Sequence, residues 1–134
     1  MKAGFYQFKP QFGKNAANTK KIIKALEKHK NKIGIVIMEP MRFSFPNKNF
    51  LSDVKKLAKK NGAILIFDEI TSGFHENYGG LHLKFKVNPD MAIFGKALGN
   101  GHPISAVIGK KKIMNFAQKT FISSTMWTES LGFI

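Results

Sequence analysis

The run Ala63-Ile64-Leu65-Ile66-Phe67-Asp68-Glu69 decides how the rest of the chain is read. Five apolar residues follow one another with no polar alternation, and two carboxylates end the run. A strand covered on both faces of a parallel sheet has this composition, because neither side of the pleat meets water. Upstream, Ile33-Gly34-Ile35-Val36-Ile37-Met38 has the same character and reads as a strand buried on both faces. It stops at Glu39-Pro40, where proline ends ladder donation. Met91-Ala92-Ile93-Phe94, after the turn Asn88-Pro89-Asp90, is a third strand. Ser105-Ala106-Val107-Ile108 is a fourth, and Phe121-Ile122-Ser123-Ser124 is a candidate fifth.

Between these runs the period changes. From Thr19 to about Lys32, Ile22, Ile23 and Leu26 form one apolar edge among lysines. Phe50, Leu51, Val54, Leu57 and Ala58 recur at spacings of three and four, with Asn-rich residues before them and Gly62 after. Both segments read as helices, the second with caps at its ends. Residues 1–18 show no clear period and read as a leading loop. Strands alternating with helices predict an α/β fold with a mostly parallel sheet.

The 134 residues amount to one domain at most, or a piece of one. An apolar content of 43% excludes wholesale disorder, and no apolar run is long enough to span a bilayer. The first seven residues lack the apolar stretch of a secretory signal. Without cysteine, a disulfide scaffold, a thiolate metal site and a cysteine nucleophile are excluded, and a cytoplasmic location is expected. The net charge of +14 invites a nucleic-acid reading, but Arg42 is the one arginine among 22 basic residues. Lysine lacks the planar fork that grips phosphate and guanine edges in pairs. Fifteen of the 21 lysines lie in residues 20–32, 48–60 and 110–119, among apolar residues at helical spacing, as on a solvated helix face. No nucleic-acid and no membrane partner is expected.

Three polar residues share a position. Glu39, Asp68 and Lys96 each stand at or just past the carboxyl end of a strand, the edge where open α/β sheets bind ligands. Lys96 lies between Gly95 and Ala97-Leu98-Gly99-Asn100-Gly101-His102-Pro103, unlike the lysines of the helical runs. A lysine amine set in such a turn can form an imine with a carbonyl compound. The plain alternative is a solvent-facing lysine beside a glycine turn. Asp68 ends an apolar run and so needs a cationic neighbour. A protonated pyridine nitrogen would serve, as would an ordinary ion pair or a helix cap. Asp68 with Glu69 as a metal pair lacks histidine at ligand spacing, so no metal is expected. His29 reads as solvated and His82 as structural.

The segments Ile66-Phe67-Asp68-Glu69-Ile70-Thr71-Ser72-Gly73-Phe74, Asn88-Pro89-Asp90 and Gly95-Lys96-Ala97-Leu98-Gly99-Asn100-Gly101-His102-Pro103-Ile104 together resemble the signature of class III aminotransferases. Those are pyridoxal-phosphate (PLP) enzymes of fold type I. Tyr78-Gly79-Gly80, leading to Val87-Asn88-Pro89-Asp90, is most similar to the glutamate-1-semialdehyde 2,1-aminomutase branch. The resemblance runs from about Ile33 to Ser130. It implies a partial fold type I large domain, with residues 1–134 its central fragment and the N-terminal segment and C-terminal small domain lacking. It also implies pyridoxal 5'-phosphate as cofactor, an amine donor and a carbonyl acceptor as substrates, and a homodimer in the full-length protein.

The site residues implied are specific. Lys96 matches the lysine that forms the Schiff base and then shuttles a proton. Asp68 matches the aspartate bonded to the pyridine nitrogen, and Ile70 the branched residue packed on the ring. Thr125 matches a threonine that reaches the phosphate in the partner subunit. Glu39 matches a site-proximal Glu-Pro, and Thr71 stands where many members carry glutamine. His75, Asn100, His102 and the run Met126-Trp127-Thr128-Glu129-Ser130 also depart from the commoner pattern. The isolated fragment is expected to be inactive. A second reading is a non-catalytic basic module that binds polyanions.

Overall fold

The computed structural model describes residues 14–30 and 32–123. Helix α1 spans Asn15–Lys28, β1 Ile35–Met38, α2 Phe50–Lys60, β2 Ile64–Asp68, α3 Leu81–Lys84, β3 Met91–Phe94, β4 Ala106–Gly109 and α4 Lys111–Met114. Short 3-10 turns occupy Lys96–Leu98 and Ala117–Lys119. The strands form one sheet in the order β1-β2-β3-β4. β1, β2 and β3 run parallel, with Ile35 opposite Ile64 and Ile66 opposite Met91. β4 runs antiparallel to β3, with Phe94 opposite Ala106. The α/β class and the mostly parallel sheet are as the alternating periods predict.

Packing explains the registers. Leu65 and Phe67 turn one face of β2 toward Leu51, Val54 and Ala58 of α2, with Ala63 and Val87 closing the cluster. Val36, Met38 and Phe85 pack against it. Each fully buried side chain of this kind contributes roughly 1.5–3 kcal/mol. The opposite face is another matter. Among the described residues β1 is the outer strand of the sheet, and Ile35 and Ile37 are 57% and 58% exposed, so these residues cover one face of it and not two. A continuous apolar run records only that apolar residues alternate to both sides; which side is covered depends on where α2 lies.

Three further expectations need correction. α1 begins at Asn15 and not Thr19, because the Ala16-Ala17 pair favours helix without adding periodic apolar residues. Its end moves back with it: the amide of His29 still reaches the Ala25 carbonyl at 3.1 Å, and the chain then leaves the helix. α2 carries no side-chain cap bond from Asn49, whose backbone is already helical; Ser52 Oγ donates to the Asn49 carbonyl instead. Gly62 does terminate the helix in the left-handed region, at φ 67°. Phe121–Ser123 joins no strand, and Ser124 lies outside the described residues.

Of the lysines in the three basic stretches, all but the half-buried Lys21 are exposed, as on solvated faces. Among the described residues no helix is long and apolar enough to cross a membrane.

Candidate active site

Parallel pairing carries the polar strand ends to one edge of the sheet. Asp68 closes β2 opposite Ile93, and Lys96 follows three residues after that partner. Met38 pairs with Phe67, so Glu39 stands level with Asp68 on the next strand. Asp68, Lys96 and Glu39 therefore share the carboxyl end of β1, β2 and β3, where ligands bind in sheets of this class.

The closest contacts link β2's exit to the turn after β3. Lys96 Nζ donates to Thr71 Oγ1 at 2.8 Å. The Ile70 amide donates to Asp68 Oδ1 at 3.0 Å, a local turn that fixes the carboxylate beside the strand end. Ile70 itself meets the residue before Lys96: a Cβ on Gly95 would stand 3.6 Å from Ile70 Cγ2. Thus Asp68, Ile70, Thr71 and Lys96 form one cluster. Lys96 is exposed, not walled in, so its surroundings are wetter than a glycine-enclosed lysine suggests. Its backbone is unusual, with φ 45°, and Asn100 follows at φ 44°. Left-handed conformations in residues other than glycine cost of order 1–2 kcal/mol and gather at functional sites.

Glu39 is engaged elsewhere. Its Oε1 accepts from Arg42 at 2.8 Å, on an exposed turn just past β1. Thr125 and Trp127 lie outside the described residues. His29 is exposed on the last turn of the α1 region, as expected.

What the sequence did not reveal is Glu69. It is fully buried, and its carboxylate accepts from Ser72 Oγ, from the amides of Leu81 and His82 at 3.0 and 2.9 Å, and from His82 Nδ1 at 2.8 Å. Burial pushes this carboxyl up; the bonds from His82, Ser72 and Leu81 together outweigh it and hold it below the ordinary carboxylate value. With both oxygens occupied inside the protein, Glu69 cannot join Asp68 in a metal pair. His82 has the structural place expected of it. Among the described residues no group of three or more His, Asp and Glu side chains is placed to hold a metal ion. The signal that could have located Glu69 is weak: adjacent residues in extended backbone at a strand end face opposite ways, so of two neighbouring carboxylates one turns inward.

Known proteins resemble this chain in sequence and in fold. Residues 1–130 match the family model described as aminotransferase class-III, which extends the likeness upstream of Ile33. The glutamate-1-semialdehyde 2,1-aminomutase of Nitrosopumilus maritimus (strain SCM1) is 43% identical over 101 residues, 73% of this chain and 24% of that protein. The 3-aminobutyryl-CoA aminotransferase of Cloacimonas acidaminovorans (strain Evry) is 38% identical over 116 residues, 81% of this chain and 28% of that protein. Among solved structures, the FumI protein of Sphingopyxis sp. MTA144, described as a PLP internal aldimine form, aligns with a TM-score of 0.77 at 25% identity. That alignment covers 85% of this chain and 29% of FumI. The chain spans about a quarter of the length of the curated relatives it matches. A match to the family model over residues 1–130, almost the whole of the sequence, makes this chain a member of the class-III aminotransferase family.

Proposed function

We propose that residues 1–134 are the central part of the PLP-binding large domain of an aminotransferase or aminomutase. The substrates are an amine donor and a carbonyl acceptor, and the assembled enzyme is a homodimer of the cytoplasm. The observation that carries this reading is the convergence of Asp68 and Lys96 on one sheet edge, with Thr71 and Ile70 between them.

The donor set fits the cofactor. Among the described residues, only Oδ1 of Asp68 has a protein partner, which leaves Oδ2 for a protonated ring nitrogen. Lys96 brings a primary amine to the same edge, and Ile70 brings a branched apolar surface beside Gly95. Bound pyridoxal phosphate supplies an electron sink that makes a substrate α-proton removable. Asp68 would hold positive charge at the ring nitrogen, and Ile70 would offer its branched side chain to the ring. The Lys96 amine would anchor the cofactor and carry the proton. Thr71 would orient Nζ through its hydroxyl, Glu39 would stand near the site at the same sheet edge, and Thr125 would serve the phosphate of the partner subunit's site.

The test is reductive labelling. The full chain is mixed with pyridoxal phosphate, reduced with borohydride and mapped by peptide. Lys96 should take a larger share than surface lysines such as Lys56, and Lys96→Ala should remove that selective label alone. Equal labelling of all exposed lysines would overturn the assignment.

A further inference from the structure

Glu69 has no part in the cofactor reading, yet it stands between two residues that do. Its amide donates to the Ile93 carbonyl at 2.8 Å, continuing the β2–β3 ladder, and its carbonyl accepts from Gly73 at 2.7 Å. Strand alternation leaves Asp68 half-buried at the sheet edge and turns Glu69 fully into the protein. Its bonding partners, Ser72 on one side and Leu81 and His82 on the other, flank residues 73–80. One carboxylate therefore ties together both ends of that loop.

Two glycines are fitted around this tie. A Cβ on Gly80 would stand 2.4 Å from the His82 ring and 3.1 Å from Glu69 Oε1. A Cβ on Gly73 would stand 2.7 Å from the Phe94 ring and 2.8 Å from the Glu69 carbonyl oxygen. Phe94 leads directly into Gly95-Lys96, and Thr71 lies between Ile70 and Ser72. The tie thus borders both partners of the Lys96–Thr71 bond.

We propose that Glu69 is a positioning residue: by closing the loop of residues 73–80 it fixes segment 68–72, so that Asp68 and Thr71 stand where Lys96 meets them. The inference rests on the cofactor reading of Asp68 and Lys96. Removing the acceptor would strand the buried amides of Leu81 and His82 without partners, and segment 69–73 would shift to recover them. Glutamine has nearly the same shape, but its NH2 would face other donors and cannot take over.

The experiment uses the full chain with two readouts: hydrogen exchange at the Ile70 and Leu81 amides, and the share of reducible pyridoxal-phosphate label that lands on Lys96. Glu69→Gln should speed exchange at both amides by about tenfold or more and lower the Lys96 share several-fold. Val54→Ala, a cavity in the α2 core, should lower the melting temperature while leaving the Lys96 share unchanged. If Glu69→Gln does not fold, Ser72→Ala removes one of the four bonds and should show the same pattern at smaller amplitude. Wild-type exchange at Ile70 in these variants, or an equal loss of label share in Val54→Ala, would overturn the proposal. The cofactor reading fails separately, if the unsubstituted chain labels Lys96 no more than Lys56. In that event the Ile70 amide still decides whether Glu69 holds the Asp68 segment.

Discussion

The two ends of the parallel sheet treat their charged groups differently. At the amino end, Asp90 is used up by the fold. Its Oδ2 accepts from the Leu65 amide at 2.9 Å and its Oδ1 pairs with Lys110 Nζ, while its backbone bonds Leu65 on one side and Lys110 on the other. Three strands are thereby joined through one residue. Burial pushes the Asp90 carboxyl up, and the Leu65 amide with Lys110 and Lys55 more than offset it, so the carboxyl lies below its ordinary value. At the carboxyl end, Asp68 has a protein partner for one oxygen, and Lys96 rests on a neutral hydroxyl in a left-handed turn. The amino end is consolidated; the carboxyl end, beside the fully bonded Glu69, keeps unspent bonding capacity at Asp68 and Lys96. Ligand chemistry in an α/β sheet belongs to the second.

This contrast can be broken by substitution. The largest effect is expected at Lys96. In the assembled enzyme, Lys96→Ala should abolish amino transfer, read as loss of turnover, because only a primary amine there can form the imine. Stability of the chain should change little, and relief of the left-handed backbone is not expected, since alanine is no freer there than lysine. Asp68→Asn should keep the cofactor and slow transfer by orders of magnitude, since a neutral amide no longer holds charge at the ring nitrogen. Near-normal turnover would place Asp68 with the structural carboxylates and erase the contrast.

At the amino end the sign of the result should reverse. Asp90→Ala should cost about 1–3 kcal/mol in denaturant unfolding, because the buried Leu65 amide loses its side-chain acceptor. The share of pyridoxal-phosphate label on Lys96 should stay as it was. Lys110→Ala removes only an exposed partner and should cost at most about 1 kcal/mol, less at high salt.

Acid acts on both ends. Glu69 and Asp90 have folded-state values below their unfolded ones, so the stability they contribute is fully present above the unfolded values and lost as pH falls through the folded ones. Unfolding free energy should therefore hold near neutrality and decline below about pH 5. Asp90→Ala and Glu69→Gln should each flatten that decline, and an unchanged acid limb in both would show that other carboxylates govern it.

The shared placement of the candidate residues was legible in the sequence for a physical reason. Asp68 and Lys96 each end an apolar strand run, and a polar residue there has to face the sheet edge. The bond from Lys96 to Thr71 was not legible, since it joins positions 25 apart through the β2–β3 pairing. Thr71 read as a departure from the commoner glutamine, whereas the fold gives it the lysine. Glu39 reached the right edge but is turned to Arg42, three residues away. The direction of β4 was equally hidden, because an apolar tetrapeptide reads alike in either sense until its neighbour is known.

Periodicity by itself determined the two long helices to within a few residues, the four strands, the α/β class and the sheet edge to which Asp68 and Lys96 come, because each depends on residues close together in the chain. Only the tertiary structure decided which face of β1 is covered, which way β4 runs and which of two adjacent carboxylates turns inward. Glu69 can be buried as an anion because donors 12 and 13 residues away arrive to meet it. A buried charge is tolerated only where its partners have been assembled, and that assembly is a property of the folded chain.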